Sequence, residues 1–123
     1  MTENFNIMEF ASKDGADFPQ DVVINLQELA DNLEIIRAFY NKPIKVNSGY
    51  RSPSHNKSVG GSVKSQHLLG KAADLVIEGI SPEELAKGIQ VLIDNNKISE
   101  GGIGIYNSFT HYDIRGTKAR WEL

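Results

Sequence analysis

The fold is decided first by one stretch of sequence, DVVINLQELADNLEIIRAFY, which occupies residues 21–40. Its apolar side chains recur every three or four residues, which is the period of a helix with one buried face. They are Val22, Leu26, Leu29, Leu33, Ile36 and Tyr40. Asp21, just after Pro19, is expected to cap the start, and Asn41 with Pro43 is expected to end the helix. The pattern therefore predicts one long amphipathic helix.

Shorter elements follow this helix. Four segments with the composition of strands lie between turn-forming residues; they are residues 43–47, 72–77, 103–106 and 109–115. A second helix opens at Ser81 and Pro82, where Glu84 can complete a capping box, and it ends at Asn95 and Asn96. Two helices against a small, mainly antiparallel sheet make the predicted fold class α+β.

Composition limits the classes of protein that the chain can belong to. Its 123 residues, 40% apolar and 24% charged, fit a single domain spanning residues 1–123. With 13 basic and 16 acidic residues and no basic run, the sequence predicts no nucleic-acid partner. The absence of cysteine excludes disulfides, thiol catalysis and thiolate metal sites. The composition indicates no oligomeric state.

The first ten residues contain the acids Glu3 and Glu9 and no continuous apolar stretch. That is neither a secretory signal nor a membrane-spanning segment. The expectation is a protein made in soluble form in the cytoplasm, with no membrane insertion.

All three histidines lie outside the predicted helices, and two of them are candidates for metal binding. His67 lies seven residues before Asp74, in a polar stretch of residues 48–70 whose length is typical of a functional or a disordered segment. His111 lies on the last predicted strand. Two imidazoles and a carboxylate suit a zinc site that leaves a position open for water. Spacing alone leaves a second interpretation open, in which each histidine is a half-buried hydrogen-bonding residue.

The sequence around these residues contains several motifs in a fixed order. Residues 65–74 read S-x-H-x-x-G-x-A-x-D, and they follow SGYRSP at residues 48–53. GGIGIY at residues 101–106 and FTHYDIR at residues 109–115 come later, with Trp121 near the end. Over roughly residues 41–121 the chain resembles the zinc D-Ala-D-Ala carboxypeptidase family, especially its short single-domain branch. The resemblance implies the hedgehog/DD-peptidase type of α+β fold.

The resemblance also implies roles for individual residues. His67, Asp74 and His111 match the family's zinc ligands, and Arg51 matches the arginine that faces the terminal carboxylate of the substrate. A guanidinium suits that role because it grips a carboxylate with two hydrogen bonds, although an arginine in such a loop can also brace the loop. His55 either lines the pocket or braces the loop. Tyr50 and Tyr106 either reach the cleft or lie at the edge of the core.

One position departs from the family pattern. Many relatives carry a catalytic acid three residues before the last zinc histidine, where this chain has Ser108. Asp113 is the nearest replacement, because residues two apart on a strand share a face and Asp113 therefore lies beside His111. It could act as the general base or hold the His111 imidazole in place.

Two functions follow from these observations. The first is a Zn²⁺-dependent murein peptidase that cuts peptidoglycan stem peptides as a D-Ala-D-Ala carboxypeptidase or a cross-link endopeptidase, with a metal-activated water. The second is a non-catalytic, metal-stabilised module that binds the wall or belongs to a phage or cell-wall assembly. Because peptidoglycan lies outside the cytoplasm, the first function calls for a release route, such as that of a phage or prophage lysis enzyme.

Overall fold

A computed structural model describes all of residues 1–123 and confirms the α+β class. It contains three α-helices, α1 (Gln20–Tyr40), α2 (Pro53–Ser58) and α3 (Pro82–Asp94). Five strands form one sheet: β1 (Lys45–Ser48), β2 (Ala72–Val76), β3 (Gly102–Ile105), β4 (Thr110–Asp113) and β5 (Ala119–Glu122). Two short 3-10 helices span Ile7–Phe10 and Gln66–Leu69. None of the helices combines the length and the apolar character that a membrane-spanning segment requires.

Helix α1 has the predicted buried face but a different start. The helix begins at Gln20, and Pro19 occupies the capping position without a side-chain hydrogen bond. The expectation that Asp21 caps the helix is therefore wrong, since Asp21 is already inside the first turn, where its charge suits the helix dipole. Asn41 ends the helix in the left-handed conformation, with φ of 52°. Asparagine is one of the residues that adopt this conformation just after a helix.

Helix α3 begins as predicted. The Ser81 hydroxyl accepts a hydrogen bond from the Glu84 backbone N–H, and the Glu84 side chain accepts one from the Ser81 backbone N–H. Pro82 takes the first helical position, where a missing N–H costs nothing. The helix therefore starts at a fixed point directly after the turn that follows β2.

The sheet is mixed, in the order β1-β2-β4-β3-β5. Three neighbouring pairs are antiparallel, whereas β5 pairs with β3 in parallel. Strand β5 was not among the four predicted strands, because it is only four residues long and its sequence, ARWE, is largely polar. The polar stretch at residues 48–70 is ordered, since it contains α2 and the second 3-10 helix.

The two faces of the sheet have different surroundings. Ala73, Leu75, Ile103 and Tyr112 belong to a hydrophobic cluster of 23 buried residues, together with apolar residues of α1 and α3. The alternate residues form a row across the opposite face, because a strand exposes successive side chains on opposite sides. Ser48 pairs with Asp74, Asp74 with His111, His111 with Gly104, and Gly104 with Trp121. This cross-sheet row places two of the predicted ligands side by side.

An N-terminal arm, residues 1–19, packs against the loop that follows β1. Phe5 and Phe10 are buried in the core cluster, and the Phe10 carbonyl accepts a 2.8 Å hydrogen bond from the Tyr50 N–H. Gly49 permits this approach, since a Cβ at that position would lie 2.7 Å from the Phe10 Cα. The arm thereby fixes the start of the loop that carries Arg51.

Candidate metal centre

The structure brings His67, Asp74 and His111 together. Their candidate ligand atoms all lie within 4.8 Å of one another, and all three side chains are buried. His67 comes from the second 3-10 helix, whereas Asp74 and His111 are paired residues of β2 and β4. Asp74 Oδ1 lies 3.3 Å from His67 Nε2 and 3.2 Å from His111 Nδ1. Three donor atoms from three elements thus converge on one point.

The position of His67 is set by its own short helix. The Ser65 hydroxyl accepts a hydrogen bond from the His67 N–H, and Gly70 ends the helix in the left-handed conformation, with φ of 72°. His67 Nδ1–H donates a 2.6 Å hydrogen bond to the Gly49 carbonyl. With its proton on Nδ1, the ring presents the lone pair of Nε2 to Asp74.

His111 is held in the complementary way. Its Nε2–H donates a 2.6 Å hydrogen bond to Asp113 Oδ2, which leaves Nδ1 facing Asp74. Asp113 is fully buried and also accepts hydrogen bonds from the Gly102 N–H, at 2.8 Å, and from Arg115 Nε, at 2.9 Å. A carboxylate behind a metal-binding imidazole fixes the tautomer and the orientation of the ring.

The charges of this cluster depend on one another. Burial by itself raises the pKa of Asp74, but the neighbouring imidazoles of His111 and His67 outweigh it and hold the pKa well below its ordinary value. Burial by itself lowers the pKa of His111, but Asp113 and Asp74 outweigh it and raise the pKa. The two carboxylates therefore favour a cation in this position.

The donor set fits a divalent metal ion such as zinc. Two imidazole nitrogens and one carboxylate oxygen are ligands that zinc uses in catalytic sites, where a further position remains open. Each imidazole has its other nitrogen hydrogen-bonded, to Gly49 or to Asp113, as metal-binding histidines do. Of the two interpretations of the histidines, their convergence on Asp74 favours the metal site.

The cluster lies in an open cavity of about 450 Å³. Its lining includes three basic side chains, Arg51, Lys64 and Arg115, and Asp74 is the sole acid among them. Arg51 Nη2 lies 3.6 Å from Asp74 Oδ2, and Arg51 Nε donates to the Ser48 hydroxyl at 3.3 Å. Arg51 thus stands beside the candidate metal position, within a cavity whose walls carry positive charge.

Three of the predicted site residues lie outside the cavity lining. Tyr50 is 4% exposed and packs against Phe18, with ring centroids 5.9 Å apart, because the chain turns its side chain into the core as Arg51 turns outward. His55 lies in α2, where its N–H donates to Ser52 Oγ. Asp113 lies behind the His111 ring. The structure therefore places Tyr50 and His55 outside this cavity, which favours a core position for Tyr50 and bracing of the loop for His55. The geometry favours the orienting role for Asp113.

Comparison with known proteins identifies the family. Residues 1–113 match the family described as peptidase M15. The chain belongs to the peptidase M15 family. It is 53% identical over 38 residues to the zinc D-Ala-D-Ala carboxypeptidase of Streptomyces albus G, covering 31% of this chain and 15% of that protein. It is 34% identical over 87 residues to the peptidoglycan L,D-endopeptidase MepK of Escherichia coli K12, covering 65% of this chain and 44% of MepK. The chain thus spans less than half the length of these M15 relatives.

The M15 chain also has cavity residues to which the sequence analysis assigned no site role. Arg115 and Trp121 line the cavity but lie beyond the region that matches the family. Phe109 lines it too and stacks on Tyr106, with ring centroids 4.4 Å apart. Tyr106 therefore reaches the cleft, which is one of the two alternatives that the sequence analysis left open for it. The motif at residues 109–115 contains Arg115, so its spacing from His111 was visible in the sequence. The place of Trp121 follows only from the parallel pairing of β5 with β3.

Proposed function

We propose that this M15 chain is a Zn²⁺-dependent murein peptidase that hydrolyses peptide bonds in the stem peptides of peptidoglycan. The observation that carries the proposal is the convergence of His67, Asp74 and His111 on one point inside an open cavity. The family match and the peptidoglycan activities named for two relatives support the substrate class. The mixed sheet, with α1 and α3 packed on one face, is in our proposal of the hedgehog/DD-peptidase type.

Zinc is the ion that the proposal assigns to this cluster. Nε2 of His67, the Asp74 carboxylate and Nδ1 of His111 would hold it, since these atoms face one another. When bound, zinc acidifies a water molecule and polarises a carbonyl group, which are the two requirements of peptide hydrolysis at neutral pH. The site is buried on the sheet side and open on the cavity side, so substrate approaches from the cavity.

Arg51 binds the carboxylate of the substrate in this proposal. Its guanidinium lines the cavity beside Asp74, and its side chain is 19% exposed, so part of the guanidinium remains accessible to substrate. Ser48 and Asn56 accept hydrogen bonds from Nε and Nη1 and hold the side chain in place. A guanidinium fixed in this way selects a planar anion through paired hydrogen bonds. A carboxypeptidase would use it for a free chain end, and a cross-link endopeptidase for a carboxylate elsewhere in the stem peptide.

Asp113 has an orienting role in the proposed mechanism. The imidazole of His111 separates the Asp113 carboxylate from the candidate metal position. Arg115 and the Gly102 N–H occupy the remaining hydrogen-bonding positions of that carboxylate. Because these partners hold the pKa of Asp113 well below its ordinary value against the effect of burial, the group stays ionised. It therefore keeps the proton of His111 on Nε2 and leaves Nδ1 free for the metal.

Mass spectrometry of defined muropeptides tests the proposal. We expect the zinc-loaded protein to release D-alanine or to cut a cross-link, and a chelated sample to leave every muropeptide intact. His67→Ala should lose both zinc retention and cleavage, because one of the three ligands is removed. A His67→Ala protein that cleaves at the wild-type rate would disprove the mechanism.

A second function is favoured by one observation. Asp74 is the sole acid of the cavity lining, and Ser108, where relatives carry an acid, is exposed in the turn between β3 and β4. A non-catalytic module that binds the wall or a phage assembly would need no general base. This function predicts zinc binding and peptidoglycan binding without any product, and activity that appears only in a Ser108→Asp variant.

The proposed substrate places the site of action at the cell wall. Release by a phage or prophage lysis system is the route that we propose. To test this route, peptidoglycan sacculi are added to the outside of cells that produce the protein, either intact or permeabilised. Digestion of the sacculi is then measured, which shows whether the protein lies inside or outside the cells. Digestion that needs lysis or a pore-forming partner supports this route.

A further inference from the structure

We infer that Trp121 is a positioning residue for the metal ligand His111, and that β5 is thus part of the metal site. The inference rests on the proposed metal-dependent function. Trp121 lies eight residues beyond the region that matches the M15 family, which ends at residue 113. The inference starts from its place in the cross-sheet row, where Trp121 lies next to Gly104 and is separated from His111 by strand β3.

Gly104 creates the space in which the indole lies. A Cβ at this position would overlap Cε2 and Nε1 of Trp121. Because the residue between Trp121 and His111 has no side chain, the indole crosses β3 and reaches the imidazole, with ring centroids 4.9 Å apart. Any other residue at position 104 would place a Cβ where the indole now lies, so the indole would have to shift. The absence of a side chain is therefore what couples β5 to the ligand on β4.

The indole is itself fixed on two sides. Its Nε1–H donates a 3.0 Å hydrogen bond to the Tyr106 hydroxyl. The Arg115 guanidinium lies over the indole, 5.6 Å from its centroid, and forms a 2.7 Å ion pair with Asp113. Asp113 in turn holds His111. The contacts close a ring of four side chains, so the imidazole is held through its nitrogen by Asp113 and through its ring by Trp121.

These contacts differ from ordinary core packing. Trp121 is half-buried, lines the cavity and lies on the face of the sheet opposite the apolar cluster. The contacts of Nε2 with Asp113 and of Nδ1 with Asp74 lie at the nitrogens, in the plane of the imidazole, and the indole packed beside the ring restricts tilting of that plane. Groups that orient a metal-binding histidine typically change metal affinity about 10- to 100-fold when they are removed.

Metal affinity and the visible spectrum of the cobalt-substituted protein test the inference. We expect Trp121→Ala to bind zinc about 10-fold more weakly in a chelator competition. Its Co²⁺ absorption bands should broaden or shift, because the geometry of the ligand is less fixed. Trp121→Phe, which keeps an aromatic ring, should restore most of the affinity.

Arg120→Ala is the matched control. Arg120 is the neighbour of Trp121 on β5, but its contacts are with Gln90, Glu100 and the Gly101 carbonyl, away from the cavity. This variant should lose stability while its zinc affinity and Co²⁺ spectrum remain those of the wild type. An equal loss of affinity in Arg120→Ala and Trp121→Ala would overturn the inference, since β5 would then act only through stability.

A double-mutant cycle of Gly104→Ala and Trp121→Ala tests whether the missing side chain at position 104 is what lets the indole reach His111. By itself, Gly104→Ala should weaken zinc binding as much as Trp121→Ala does, because the methyl group displaces the indole. In the Trp121→Ala background it should add little, since the displaced ring is already gone. Full additivity, or wild-type affinity in Trp121→Ala, would refute the inference. If the wild-type chain binds zinc but cleaves nothing, the proposed function fails and this test of positioning still stands.

Discussion

At the scale of single residues, Arg51 is the side chain to which we assign recognition of the substrate carboxylate. Arg51→Lys keeps the charge but loses the planar pair of donors, so we expect kcat/KM to fall about 10- to 100-fold for substrates with the recognised carboxylate, a loss of about 1.5–3 kcal/mol. Kinetics on a stem peptide and on its C-terminally amidated analogue measure the effect. If Arg51 binds the free chain end, the wild-type and Arg51→Lys enzymes should have the same kcat/KM on the amidated analogue. Equal losses on both peptides would show that Arg51 acts on the metal site through Asp74 instead.

At the scale of elements, the short helix that carries His67 depends on the residue that follows it, Gly70. Gly70 has φ of 72°, and a Cβ there would lie 2.8 Å from Val22 Cγ1 and 2.9 Å from the Val22 carbonyl oxygen. Gly15 has a similar φ of 79° with nothing within 4 Å, so Gly15→Ala isolates the cost of the backbone conformation. We expect Gly70→Ala to be about 2 kcal/mol less stable than Gly15→Ala, because it adds overlap with α1 to the strain.

Denaturant unfolding measures that difference, and a zinc competition measured alongside it reports on His67. Gly70→Ala should also weaken zinc binding, whereas Gly15→Ala should leave it unchanged. Equal stability of the two variants would mean that α1 moves aside at no cost.

The sequence analysis predicted those elements whose local pattern is strong. The helical period of α1 and the capping box of α3 depend on near neighbours, and both were predicted. Strand β5 was not, because four residues of mixed character become a strand only through pairing with β3. The three candidate metal ligands were predicted from the sequence motifs. The role of Asp113 stayed open, because spacing along a strand shows that two residues share a face but not which atoms form a hydrogen bond. The contact between Trp121 and His111 requires the strand order, which a sequence does not display.

At the scale of the whole molecule, the N-terminal arm and the loop of Arg51 are joined by a pH-sensitive contact. The Asp14 carboxylate accepts hydrogen bonds from Ser52 and Ser12 and from the Ala16 N–H, which lower its pKa from 3.8 to about 2. A pKa that is lower in the folded state stabilises the protein above pH 3.8, and this contribution is lost as the pH falls through about 2.

We therefore expect Asp14→Asn to be less stable than the wild type near neutral pH, with a difference that disappears as the pH approaches the folded pKa. Denaturant midpoints across this range measure it. Asp17→Asn makes the same change of charge at an exposed position of the same arm and should show no such convergence. A constant difference for Asp14→Asn would mean that the carboxylate does not stabilise the arm through its charge.

Gly49 has a consequence for how variation in this protein would be interpreted. Its carbonyl accepts a hydrogen bond from His67 Nδ1–H, while its α-carbon lies against Phe10 of the arm. A saturation screen would find position 49 intolerant and would score it with the metal ligands, although a glycine offers no chemistry of its own. A smaller side chain at position 10 would not compensate, because a Cβ at position 49 would lie 2.7 Å from the Phe10 Cα, an atom that every residue has. The intolerance of position 49 would thus reflect the close approach of two backbone segments and not a metal ligand.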